Sequence, residues 1–193
     1  MPKFAPALLC AAALVSAPAF AVTNLVQNGG FESGFDHWIS SGDPAGQYVG
    51  HDYTGDPDLI NNVFTETAYA DLGFIGQQLD TTAGARYILQ FDLQIQGDAN
   101  LAPDTHSVVT FNGTYYFGQT DLVHGWTHYT LTGLTTNSSS TWLQFGNRNY
   151  ADYTQLDNVS LVMSSIPEPS SALMLALGLG LLGFVRSKRA RPF

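Results

Sequence analysis

Residues 87–95 read Tyr-Ile-Leu-Gln-Phe-Asp-Leu-Gln-Ile, with Tyr87, Leu89, Phe91, Leu93 and Ile95 separated by single residues that become polar from Gln90 onward. Successive side chains of a strand point to opposite faces, so this segment carries one face that must be buried and one that meets water. A strand of that kind needs a second layer to cover it. Similar chemistry, rich in β-branched and aromatic residues, predicts strands at 24–28, 47–51, 67–71, 73–79, 86–96, 107–111, 126–131, 141–145 and 154–163. Turn chemistry lies between them at Gly29-Gly30, Gly42-Asp43-Pro44, Thr82-Ala83-Gly84, Asn112-Gly113 and Asn137-Ser138. No amphipathic helix of useful length and no internal repeat of 20–50 residues interrupts the pattern before the C-terminal tail. The expected fold is all-β, an antiparallel jelly-roll β-sandwich in which two sheets bury their apolar faces against each other.

The two ends of the chain are of different composition. Lys3, the apolar stretch 7–15 and the small-x-small sequence Ala19-Phe20-Ala21 predict a secretory signal peptide over 1–21. Cys10, the only cysteine, falls inside it, so the processed protein would have no disulfide, zinc-thiolate or cysteine nucleophile. At the other end, Pro167-Glu168-Pro169 precedes an uncharged apolar run over 171–185, followed by Arg186, Lys188, Arg189 and Arg191. As a helix the run would cover about 22 Å, short of the ~30 Å hydrocarbon core, a marginal span that snorkelling basic residues and a thinned bilayer can accommodate. The basic cluster places the C-terminus on the cytoplasmic side and the domain outside.

That order of features resembles the PEP-CTERM sorting signal of exopolysaccharide-producing Gram-negative bacteria. The resemblance covers 165–193: the motif at 167–169, the membrane helix at 171–185 and the basic tail at 186–193. It implies an exosortase-type membrane protease as a partner, transient anchoring through the tail, and then a cell-surface or extracellular-matrix destination.

Residues 22–164 are expected to form one domain. Only Arg86 and Arg148 of the seven basic residues lie in it, against 15 acidic residues, a formal charge of −13. Such a surface repels phosphate backbones, which argues against nucleic-acid binding and leaves calcium and neutral sugars as natural partners. Catalysis has little support. The histidines at 37, 51, 106, 124 and 128 lack metal-protease spacing, and no Gly-x-Ser-x-Gly elbow occurs.

Asn28-Gly29-Gly30-Phe31-Glu32 at the start of the domain, Trp38, the alternating strand, Gly125-Trp126, and Leu156-Asp157-Asn158-Val159-Ser160-Leu161 at its end resemble the galactose-binding-like jelly roll of carbohydrate-binding modules. That resemblance implies that Glu32 and Asp157 meet at a structural calcium site, which would tie the first segment to the last. Asn158 departs from the pattern, since many relatives carry a second Asp there. The residues themselves leave an alternative: Glu32 caps a turn and Asp157 accepts from a backbone amide. Asp52, Asp56 and Asp58 lack EF-hand spacing and read as a solvated acidic loop.

Sugar recognition takes exposed aromatic faces with amides and carboxylates nearby. Tyr115, Tyr116 and Phe117 are consecutive, so a strand cannot hide all three on one face. Tyr115 and Tyr116 are therefore candidates, joined by Tyr48, Tyr53, Trp142, Asn147, Arg148 and Tyr150. The resulting expectation is an exported, non-enzymatic envelope or matrix protein that binds carbohydrate, with exopolysaccharide as the expected glycan. A structural matrix protein with the same fold and no sugar site is the alternative, and a polysaccharide-acting enzyme a more distant one.

Overall fold

A computed structural model describes residues 23–52, 61–67, 71–98, 100, 105–120, 122–150 and 152–164. Ten strands follow one another: β1 Ile39–Gly42, β2 Tyr48–His51, β3 Asn62–Glu66, β4 Gly73–Asp80, β5 Arg86–Ile95, β6 His106–Phe111, β7 Thr114–Gln119, β8 Val123–Thr135, β9 Ser140–Arg148 and β10 Thr154–Met163. They form two five-stranded antiparallel sheets, β1-β4-β9-β6-β7 and β2-β3-β10-β5-β8. There is no helix among the described residues. The segments 1–21 and 165–193, with the expected signal peptide, membrane helix and sorting residues, lie outside them.

The alternating strand does what its sequence demands. Tyr87, Leu89, Phe91, Leu93 and Ile95 of β5 are buried between the sheets, while Ile88, Gln90 and Asp92 are only partly covered on the other face. Phe91 sits at the centre of the core, its ring 5.2 Å from Phe145 of the facing sheet, 5.3 Å from Tyr129 and 5.5 Å from Phe117.

The N-terminal motif is not a strand, apart from a single bridge between Asn24 and Val162. It coils into turns held by positive φ at Asn28 (50°) and Phe31 (56°), and Phe31 is buried with its ring stacked 5.1 Å from Trp38. The Trp38 indole donates to the Asn28 carbonyl at 2.9 Å. This coil presses on a bulge in β10 between Asp157 and Ser160, where Asn158 has φ 52° and the Val159 amide donates to the Gly29 carbonyl at 2.9 Å. A Cβ on Gly29 would lie 2.0 Å from the Val159 carbonyl oxygen, so only glycine fits. The first and last motifs of the domain thus meet.

Several strands differ from expectation. β3 occupies Asn62–Glu66, whereas Thr67 and Asp71, the ends of the expected 67–71 strand, lie outside any strand. β1 is an edge strand whose four residues are all exposed, which leaves no hydrophobic alternation to detect. β7 was hidden by its bulge: Thr110 pairs with Tyr115 but Val109 with Phe117, so Tyr116 is the extra residue and the period of two is broken. β8 runs for 13 residues through Gly125 and Gly133, both at positive φ, and these glycines disguise its length.

Candidate functional site

The outer face of β2-β3-β10-β5-β8 is built from the polar positions of the same alternation that builds the core. Strand register sets Tyr48, Thr65, Gln155 and Gln94 side by side across β2, β3, β10 and β5. This row is the floor of a groove of about 380 Å³ lined by Tyr48, Asp52, Gln94, Gln96, Gly125, Tyr153 and Gln155.

The floor is a relay of amides. Gln96 Nε2 donates to Gln94 Oε1 at 3.1 Å, Gln94 Nε2 donates to Gln155 Oε1, and Gln155 Nε2 donates to Thr65 Oγ1 at 3.2 Å. Gln94 and Gln155 are buried, so these bonds fix long side chains that would otherwise sample several rotamers. Aromatic rings stand around the floor: Tyr48 is half exposed on the β2 edge, Tyr153 is partly buried, and Trp126 of β8 donates its indole N–H to Asp52 at 2.8 Å. Burial, helped by the negative charges of Asp152 and Asp52 and by Tyr48, raises the Tyr153 phenol above its ordinary value and keeps it a neutral donor. Among the described residues the lining holds no lysine or arginine.

Further along the same face, Asp157 of β10 pairs in register with Asp92 of β5. Asp157 accepts from the Asn158 amide at 2.7 Å and from Asn61 Nδ2 at 2.9 Å. Glu32 accepts from the Asn62 amide at 3.1 Å and its Nδ2 at 3.3 Å. Asp92 bonds His128 Nδ1 at 2.6 Å and accepts from Asn158 Nδ2 at 2.8 Å. Burial pushes the Asp157 carboxyl above the usual carboxylate range, against the pull of its bonds from Asn61 and Asn158, while the charges of Asp92 and Glu32 push it further.

Glu32 and Asp157 therefore feel each other's charge, and every partner of either is a neutral amide. Among the described residues no three of His, Cys, Asp and Glu are grouped to hold a metal. A cation here would take two carboxylates and complete its shell with neutral oxygens, such as the Asn61 and Asn62 side-chain carbonyls if those amides turn over. Hard oxygen donors of that kind suit calcium.

The structure disperses the other candidates. Tyr115 is 68 % exposed on β7, at the far edge of the opposite sheet. Tyr116 packs 6.5 Å from Phe111, and its hydroxyl accepts from the Thr135 amide at 3.2 Å. Trp142 stands on the outer face of β9, and Asn147 of the same strand is buried. Arg148 lines a separate depression of about 520 Å³ with Asp71, Leu72, Phe74 and His106. Tyr150 is exposed in the segment after β9, and Tyr53, like Asp56 and Asp58, lies outside the described residues. Of the proposed ligand contacts among the described residues, only Tyr48 lines the groove. Trp126, Tyr153 and the three glutamines were missed, although Gln90, Asp92, Gln94 and Gln96 already recur at every second position and mark an unusually amide-rich outer face.

Comparison with known proteins agrees with both halves of the chain. Residues 165–190 match the PEP-CTERM protein-sorting motif. The TmCBM61 module, solved in complex with β-1,4-galactotriose, superposes with a TM-score of 0.57 at 14% identity, over 74% of this chain and 99% of that one. The CBM22-1 xylan-binding domain from Paenibacillus barcinonensis Xyn10C gives 0.54 at 13% identity, over 76% and 97%. The enzymatically active domain of bacteriophage CBA120 tailspike protein 4 gives 0.54 at 17% identity, over 73% of this chain but 21% of that one. No curated protein matches the chain. At these identities the likeness is one of fold. The chain is thus a β-sandwich of the kind found in carbohydrate-binding modules, carrying at its C-terminal end the PEP-CTERM motif of an exported protein sorted to the cell surface.

Proposed function

We propose that the groove on β2-β3-β10-β5-β8 binds a neutral polysaccharide without cleaving it, and that the sorting motif delivers this binding domain through an exosortase to the cell surface or matrix. The observation that carries the reading is the fixed amide relay from Gln96 through Gln94 and Gln155 to Thr65, flanked by Tyr48, Trp126 and Tyr153. Ring faces suit the C–H faces of pyranoses, and preset amides suit their hydroxyls without a cost for ordering flexible side chains. The absence of a basic residue among the described residues of the lining disfavours uronate-rich chains. Glycoside hydrolysis ordinarily takes a pair of carboxyl groups, and among the described residues the lining contributes one, Asp52, which already accepts from Trp126. Exopolysaccharide made by the producing cell is the natural ligand in this reading.

Calcium belongs to the same proposal as a structural ion. Held by Glu32 and Asp157, it would relieve their repulsion and fasten the N-terminal coil to β10, the strand that supplies Gln155 to the groove.

Calorimetric titration of the full chain in detergent with soluble β-1,4-linked galacto-, xylo- and gluco-oligosaccharides, and with the producing cell's own polysaccharide, tests the function. Tyr48→Ala or Trp126→Ala is expected to lower affinity about tenfold, a loss of ~1.4 kcal/mol. Absence of heat from every glycan would sink the reading in favour of a purely structural surface protein.

A further inference from the structure

The opposite face of the sandwich has a different character. On β4-β9-β6-β7 the outward row Gly76, Gln144, Thr110 and Tyr115 is set by register, with Ile39 of β1 at its other end. Trp142 stands two residues from Gln144 on β9, beside Gln78 of β4. Ile39, Trp142 and Tyr115 are all exposed, at 57, 37 and 68 %.

Three features make this more than a scatter of surface aromatics. The indole of Trp142 rests against bare backbone, since a Cβ on Gly76 would lie 3.5 Å from Trp142 Cε3 and 2.9 Å from Gln144 Cγ. Around the row, Gly118 leaves its face open, while the Phe74 ring and Val108 lie over Gly146 and add apolar surface beside Trp142 and Tyr115. Finally, the band from Gln78 and Trp142 to Gly146 and Val108 contains no charged residue, in a domain with 15 acids. Along β4, β9 and β6 the charged positions begin beyond it, at Asp80 on one side and at His106 and Arg148 on the other.

We propose that this face is a second carbohydrate-binding site, a flat platform for neutral polysaccharide at solid surfaces, with Trp142 and Tyr115 as its stacking residues and Gln78 and Gln144 as its hydroxyl partners. Among the described residues Gln144 makes no side-chain hydrogen bond, and Gln78 donates to Ser140 Oγ at 2.8 Å. Neighbouring strands are ~4.8 Å apart and rise ~3.4 Å per residue, so Trp142 and Tyr115 lie roughly 10 Å apart across the sheet and about 7 Å along it, far enough to engage different sugar rings. An extended chain fits such spacing on a flat face; the groove, lined by Tyr48 and by Asp52 with Trp126 bonded to it, holds a single soluble chain. The platform stands without the groove, and with it the domain joins two glycans on opposite sides.

The experiment is a depletion assay with the full chain in detergent and four insoluble neutral polysaccharides: microcrystalline cellulose, chitin, β-1,3-glucan and galactan. The wild type is expected to sediment with at least one. Trp142→Ala with Tyr115→Ala should weaken that binding tenfold or more, with the melting temperature lowered by no more than about a few degrees because both residues are exposed. Tyr48→Ala with Trp126→Ala should abolish soluble-oligosaccharide titration yet leave sedimentation intact. Sedimentation lost in the groove variant and kept in the platform variant would overturn the platform and leave the groove standing. Failure of the wild type to sediment with any powder would overturn it as well. So would a platform variant whose only change is loss of a dimer in analytical ultracentrifugation, which would make the face a contact between copies of the chain.

Discussion

The two outward faces of this sandwich are made from the same strand alternation and differ in what stands behind them. On the groove face, long side chains are locked to one another: Gln94 to Gln155, Asp157 to Asn61, Asp92 to His128 and Asn158. On the platform face, glycines at 76 and 146 let single rings lie against the backbone. One face therefore owes its shape to a hydrogen-bonded network and the other to the absence of side chains. A network couples its members and responds to charge, whereas a bare floor answers mainly to volume.

The strongest way to break the comparison is to remove what both faces share. Phe91→Ala takes out the ring that meets Phe145, Phe117 and Tyr129, and is expected to cost about 3–5 kcal/mol and to lower the melting temperature by roughly 10 °C or more. Both faces should fail together in calorimetry, and selective survival of one would mean that the sheets fold independently.

Glycine replacements separate the faces. Gly29→Ala drives its Cβ into the Val159 carbonyl at 2.0 Å, a backbone atom pinned by the β10 bulge, at a cost of about 3 kcal/mol. Gly146→Ala meets the Phe74 ring at 2.4 Å and Val108 at 2.9 Å, side chains that can swing aside, at a cost of about 1–2 kcal/mol. Chemical denaturation of the two variants measures the difference, and equal costs would contradict a rigid seam on the groove side.

Charge should speak on one face alone. Without calcium, the raised Asp157 carboxyl favours protonation in the folded state, so its ionisation opposes folding above its folded pKa. The penalty is relieved as pH falls through that raised value and is gone by the unfolded value of about 3.9. Relative to Asp157→Asn, the wild type should therefore gain stability on acidification in EDTA. Calcium is expected to reverse the ranking at neutral pH by rewarding the ionised form. A difference that stays flat from pH 7 to pH 4 would remove the desolvated carboxylate from the account. The smallest effect belongs to the platform: Trp142→Ala should shift stability by no more than ~1 kcal/mol at any pH, since the ring is exposed.

Much of the fold was legible because one physical signal, the period of two, recurs wherever a strand has one wet and one dry face. It failed where that condition failed: at β1, exposed on all four residues, and at β7, where a bulge adds Tyr116. The contact between the two end motifs was legible only through resemblance, because Asp157 and Glu32 are 125 positions apart and no local pattern links them. The groove was largely illegible for another reason. Aromatic residues drew attention as sugar platforms, but its floor is made of glutamines whose value lies in how they hold one another, a relation that composition does not display.

The position of β10 has a mechanical consequence. It ends at Met163, just before the sorting motif at 165–190, and lies between β3 and β5 in the middle of its sheet, with Leu161 also bonded to Leu25 and Asn24. A tether leaving from an edge strand would let tension unzip one rung at a time. Pulling on the C-terminal end of β10 instead loads rungs on both flanks at once, in shear, and under the proposed function a glycan held at Gln155 would oppose it on the same strand. Traction between a cell and its matrix would run through a single strand rather than across the sandwich, sparing the rest of the domain the strain.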